Sequence, residues 1–83
     1  MNYLSQGLET EERFQLLLSL TKIRSDNQVE ALKRYLVDGL SFSLSASLSG
    51  ITEPNFQRAI NRLEEVASTI EKIKEIDWIK SVK

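Results

Sequence analysis

Ser41-Phe42-Ser43-Leu44-Ser45-Ala46-Ser47-Leu48-Ser49-Gly50-Ile51-Thr52-Glu53-Pro54 is the stretch whose reading decides the fold. Taken alone, residues 41–49 alternate apolar and polar with period two, the pattern of a half-buried strand. No second alternating segment exists to pair with it, and a lone buried strand would leave its backbone donors and acceptors unmet. Read instead as a helix capped by Ser41, the same residues place Leu44, Leu48 and Ile51 at i, i+4 and i+7 as the apolar stripe. The helix reading is preferred, although serine has weak helical propensity because it competes for backbone hydrogen bonds.

The residues after Ser49 reinforce the helix reading. Gly50 supplies a tight turn and Thr52-Glu53-Pro54 opens a new helix: Thr caps, Glu suits the first turn, and Pro stands where its missing N–H would have been unpaired. Phe56, Ile60 and Leu63 then recur at helical spacing. A helix-turn-helix needs a small residue where its helices cross, a Gly in the turn and an apolar plug after it. Ala46, Gly50 and Ile51 provide these. With Phe56 and Ala59 or Ile60 holding the second helix to the first, Gln57, Arg58, Asn61 and Arg62 are expected on its outer face.

Upstream, Thr10 caps a first helix with Glu11 and Glu12 at its positive end. Phe14, Leu17 and Leu18 form its stripe, and its end is expected near Lys22 to Arg24. Leu16 and Leu20 widen the apolar surface, so this helix is expected to pack on more than one side. Ser25-Asp26-Asn27-Gln28 has capping-box spacing and starts a second helix with Val29, Leu32 and Leu36 inward, Lys33 and Arg34 outward, and Gly39 closing it. Downstream, Ser68-Thr69-Ile70-Glu71 also reads as a capping box, which predicts a break near Ala67. Leu63, Val66, Ile70 and Ile73 alternatively suit one long helix. The break is slightly preferred. Ile76, Trp78 and Ile79 are too apolar for a free tail and need a partner surface.

The expected architecture is all-α: a compact bundle of four to five helices forming one domain over 1–83, oligomeric. Within it, 1–9 is a flexible N-terminus, 41–66 the helix-turn-helix, and 68–80 a C-terminal helix or helix extension.

Composition narrows the function. Without Cys or His, the 83 residues lack thiolate metal ligands, the commonest zinc ligand and the commonest general base. No catalytic or metal site and no cofactor is expected. Glu64, Glu65, Glu71 and Glu75 lie on a polar helix face, and the serines have no activating base nearby in sequence. The longest apolar run, Leu16-Leu17-Leu18, is far below membrane-spanning length, and the start lacks the pattern of a secretory signal. A cytoplasmic protein is expected. Eleven basic and twelve acidic residues give a net charge of −1, whereas nucleic-acid-binding domains usually carry a basic excess. Any DNA contact must come from a local cluster joined across several copies.

Arg can clasp guanine or phosphate, and Gln and Asn can pair with adenine. The candidate DNA-contacting residues are therefore Arg58, Gln57, Asn61, Arg62 and Thr52, with Lys33 and Arg34 as phosphate contacts from the preceding helix. Scattered Lys and Arg can equally be a solvated face, with Arg62 meeting Glu65 across one helical turn. Leu16, Leu20, Ile76, Trp78 and Ile79 are the candidate oligomer interface.

The run Val29-Glu30-Ala31-Leu32-Lys33-Arg34-Tyr35-Leu36-Val37-Asp38-Gly39-Leu40-Ser41, followed by Ile51, Phe56, Ile60, Arg62 and Leu63, resembles the PapB family of fimbrial (adhesin biosynthesis) transcription regulators. The similarity runs from about Leu8 to Val66. It implies a helix-turn-helix regulator of a bacterial fimbrial operon, nucleoid-associated, binding AT-rich double-stranded DNA as a homo-oligomer with minor-groove contacts. The chain departs from the family pattern at Phe42 and Ser43, where basic residues are usual, and at Ser45, Ala46 and Ser49, where larger or sulfur-bearing side chains are usual. Those departures motivate a second reading, a helical protein-interaction module that has lost DNA binding and modulates a related regulator through mixed oligomers.

Overall fold

A computed structural model describes residues 3–81; residues 1, 2, 82 and 83, at the ends of the expected 1–83 unit, lie outside the described residues. Four helices follow one another: α1 (Glu11–Ser19), α2 (Asp26–Leu36), α3 (Phe42–Ser49) and α4 (Glu53–Ser81), with no strand among the described residues.

The caps at Thr10, Ser41 and Thr52 form as expected. Thr10 Oγ1 accepts the Arg13 N–H at 3.1 Å, Ser41 Oγ the Leu44 N–H at 3.2 Å and Thr52 Oγ1 the Asn55 N–H at 3.3 Å. Each satisfies a donor that the first helical turn cannot pair internally.

Four expectations about the helices are corrected. First, α1 stops at Ser19 rather than near Lys22 to Arg24. Buried Thr21 sends both its N–H (3.0 Å) and its hydroxyl (2.8 Å) to Leu18 O, tightening the last turn, and its Oγ1 then accepts the Ile23 N–H at 3.2 Å. Second, Ser25 makes no side-chain cap, and Gln28 does not reach back to it. The Gln28 amide donates instead to Asn55 Oδ1 at 2.8 Å, across to α4. Third, α4 runs unbroken through Ala67, so residues 68–80 continue the preceding helix. Inside that helix the Thr69 hydroxyl donates to Glu65 O at 3.0 Å, while fully buried Ala67 keeps its turn packed.

The fourth correction concerns which side of α3 is buried. Leu44 and Leu48, expected in the stripe, are 45% and 55% exposed, whereas Ser45, Ala46 and Ser49 face the core. α3 packs chiefly against α2, and its small buried side chains suit a close approach. Neither the Ser45 nor the Ser49 hydroxyl has a hydrogen-bond partner.

The core gathers Phe14, Leu17, Leu32, Leu36, Phe56 and Leu63 from α1, α2 and α4, with Ala31, Ala46, Ala59 and Ala67 at the close approaches. Phe42 stacks on Phe56 with centroids 4.9 Å apart, and the Tyr35 ring stands edge-on to both, at 6.3 and 5.9 Å. These three rings join the end of α2, the start of α3 and the start of α4 in geometries aromatic pairs prefer.

The described part of the expected flexible N-terminus, residues 3–9, is instead anchored. Leu4 is buried, the Gly7 and Glu9 N–H groups donate to Tyr35 O and Leu36 O at 3.0 and 3.1 Å, and the Gln6 amide donates to Gly39 O at 2.8 Å. The Gly7 and Glu9 bonds satisfy carbonyls that the C-terminal turn of α2 leaves open, and the Gln6 bond reaches the loop beyond it.

Candidate nucleic-acid interface

The corner between α3 and α4 is built by Gly50, whose φ of +73° lies in the left-handed region. Ile51 N–H reaches back to Ala46 O at 3.1 Å, closing the helix in the manner of a Schellman motif, and half-buried Ile51 plugs the corner. Ala46 is 1% exposed at the crossing. The residues picked out for a helix-turn-helix thus occupy the places such a corner requires.

α4 buries Phe56, Ala59, Leu63 and Ala67, which turns Gln57, Arg58, Asn61 and Arg62 to solvent. The Gln57 amide donates to Asn61 Oδ1 at 2.9 Å, leaving Gln57 Oε1 as an outward acceptor and Asn61 Nδ2 as an outward donor. Arg62 is paired with Glu65 at 2.9 Å. Arg58 has no ion pair among the described residues, so its guanidinium is available on the outer face. Thr52 is spent as the helix cap but remains exposed.

Lys33 and Arg34 do not join this group. They sit on α2, where Lys33 Nζ lies 3.8 Å from Glu11 of α1 and Arg34 pairs with Glu30 one turn back. Sequence reading missed two residues that bear on the face. Asn55, in the first turn of α4, is tied to Gln28, and Glu64, behind Gln57 and Asn61, holds the N-terminal segment. Both act through partners far along the chain, so no local spacing could have marked them.

The residues expected at an oligomer interface are all open to solvent: Leu16 63%, Leu20 59%, Ile76 54%, Trp78 68% and Ile79 56%. Leu20 also lines a shallow groove with Val66, Ile70 and Ile73 of α4, bounded by Arg62 and Glu65. The far end of α4 projects from the bundle and gives the molecule its 50 × 22 × 22 Å extents. Among the described residues, no helix is long and apolar enough to cross a membrane, and no group of three or more acidic residues could hold a metal.

Residues 1–76 match the family model PapB, described as adhesin biosynthesis transcription regulatory protein. The crystal structure of FocB from Escherichia coli superposes with a TM-score of 0.82 at 29% identity, covering 88% of this chain and 83% of that one. Among curated proteins, none matches the sequence.

Proposed function

The chain belongs to the PapB family of adhesin biosynthesis transcription regulatory proteins, and from that membership we propose that it binds AT-rich double-stranded DNA through the outer face of α4. It acts in the bacterial cytoplasm, on the nucleoid, as a homo-oligomer at a fimbrial operon. The observation that carries the reading is Arg58, an exposed cation without an ion pair among the described residues, one residue past Gln57 and one turn from Asn61 on the helix that follows the Gly50 corner. Arg58 supplies the phosphate or guanine contact. The outward Gln57 acceptor and Asn61 donor form the pair that an adenine edge requires.

Arg62 contributes once it exchanges Glu65 for phosphate, and Thr52 approaches the backbone at the start of the helix. Lys33 and Arg34 reach phosphates only if DNA extends beyond α4 toward α2. With a net charge of −1, affinity depends on joining several weakly binding heads, because linked sites raise effective concentration without new contacts. The groove of Leu20, Val66, Ile70 and Ile73, with Leu16, Ile76, Trp78 and Ile79 beside or beyond it, is the surface we assign to that joining.

A gel-shift titration on an AT-rich duplex at low salt is the test. Retardation that weakens steeply with added salt supports the reading, since release of counterions follows every phosphate neutralised. Absence of a shift at tens of micromolar protein rejects it. In that event, co-association with a DNA-competent relative would identify the chain as a modulator of related regulators.

A further inference from the structure

Glu64 spends its whole carboxylate on the chain's beginning. Oε2 accepts the Tyr3 N–H at 2.8 Å and Oε1 accepts the Leu4 N–H at 2.7 Å, across some sixty residues of sequence. Leu4 itself is 7% exposed and lines a cavity of about 170 Å³ whose wall on α4 is Gln57, Ile60, Asn61 and Glu64. At the other end, residues 6–9 are sewn to the end of α2 through Gly39 O, Tyr35 O and Leu36 O. Gly7 and Gly39 cross there with φ of +71° and +82°, so close that a Cβ on Gly7 would stand 3.0 Å from the Gly39 Cα. Residues 3–9 are therefore a short strap fixed at both ends, one to α2 and one to the side of α4 that carries Gln57 and Asn61.

We propose that this strap positions the DNA-reading face, with Glu64 as the positioning residue that holds Gln57, Ile60 and Asn61 in place against α2 and α3. The inference rests on the reading of α4 as the DNA-contacting helix. Ile60 is half-buried and the two mutually bonded amides line the same cavity as Leu4, Tyr35, Leu36 and Phe42, so the strap shares the packing beneath them with the end of α2 and the start of α3. Releasing Leu4 opens one side of the support of those amides while leaving the Phe56, Leu63 and Ala67 side of α4 in the core. The strap touches α4 at Glu64, one turn past Asn61 and two past Gln57, so it acts on the reading residues from beside them.

The experiment uses the full chain as wild type, Glu64→Gln, Gly7→Ala and the double variant, with Gln6→Ala as a milder change that removes only an exposed strap bond. Binding to an AT-rich and a GC-rich duplex of equal length is measured at a temperature where circular dichroism shows each protein folded. Glu64→Gln and Gly7→Ala each lower the AT-to-GC affinity ratio by roughly two- to thirtyfold, the range over which residues remote from a ligand modulate its binding. The double variant falls no further than the worse single one, because both release the same strap. Glu64→Gln also removes a negative charge near the duplex, so its GC-rich affinity holds or rises, which a loss of stability alone does not produce.

Unchanged ratios in folded variants overturn the proposal. If the wild type itself shows no preference, the DNA reading fails separately, and the positioning role is decided on the free protein. There, the Gln57 and Asn61 side-chain amide resonances shift in both single variants, and unshifted resonances overturn it. Should either single variant unfold, Gln6→Ala gives the same two readouts with the same meaning.

Discussion

The Gln28 amide donates to Asn55 Oδ1 at 2.8 Å, joining the first turn of α2 to the first turn of α4 across 27 residues of sequence. The bond is partly buried, and the neighbouring Asn27 amide approaches the Gly50 corner, where a Cβ added to Gly50 would meet its Nδ2 at 3.9 Å. It ties the start of the helix that carries the proposed outer face to α2.

Gln28→Ala is expected to cost about 1 kcal/mol of stability, the usual net worth of one side-chain hydrogen bond. Urea denaturation of Gln28→Ala, Asn55→Ala and the pair measures it. The two losses combine to less than their sum because both delete one bond, and full additivity would show that the residues are not coupled.

Ser45→Ala and Ser49→Ala are expected to stabilise the protein. Each hydroxyl is buried without a partner, and removing such a group relieves a desolvation penalty of about 1–3 kcal/mol. A domain of this size gains about 4–8 °C in Tm per kcal/mol, so a thermal melt reads the change directly. A lower Tm in either variant would show that its hydroxyl has a partner in solution.

Arg58→Ala is expected to weaken DNA binding on the order of tenfold and to flatten the salt dependence by about one phosphate. Arg62→Ala weakens it less, because its guanidinium is already held by Glu65 at 2.9 Å. Glu65→Gln frees Arg62 and tightens binding. Equal effects of the two arginine changes in a salt-titrated gel shift would show that Glu65 does not hold Arg62 back.

Trp78→Ala is expected to reduce self-association while leaving helicity unchanged, since the ring is 68% exposed and carries little of the bundle's own core. Sedimentation velocity gives the mass and far-UV circular dichroism the helix content. An unchanged mass across a dilution series would exclude Trp78 from the interface.

Legibility from the residues alone tracks the range of the forces involved. Thr10, Ser41, Thr52 and Gly50 were legible because a cap or a left-handed turn is made within a few residues of itself. The buried face of α3 was not. Leucine and serine alternate there at spacings that satisfy either helical face, and the choice is made by how closely α2 approaches, which favours Ser45, Ala46 and Ser49 over Leu44 and Leu48. The Ser25 and Ser68 boxes failed for a related reason. Gln28 found Asn55, and the turn around Ser68 was held helical by the burial of Ala67. Within the proposed DNA face, Gln57, Arg58, Asn61 and Arg62 share one side of α4 as the helical period predicts, while Asn55 and Glu64 depend on chain segments far away.

Because α4 passes Ala67 without a break, the proposed reading head and the Ile76, Trp78 and Ile79 end of the proposed assembly surface stand on one rod. At about 1.5 Å per residue, Arg58 and Ile76 are held roughly 27 Å apart along its axis. The rod therefore behaves as a gauge whose length and rotational phase are written in residue count. One residue inserted between Leu63 and Ile70 would turn the head by about 100° relative to the tail, whereas seven would nearly restore its bearing at a longer span. Spacing of heads along a duplex would then be a property of the protein's own helical pitch.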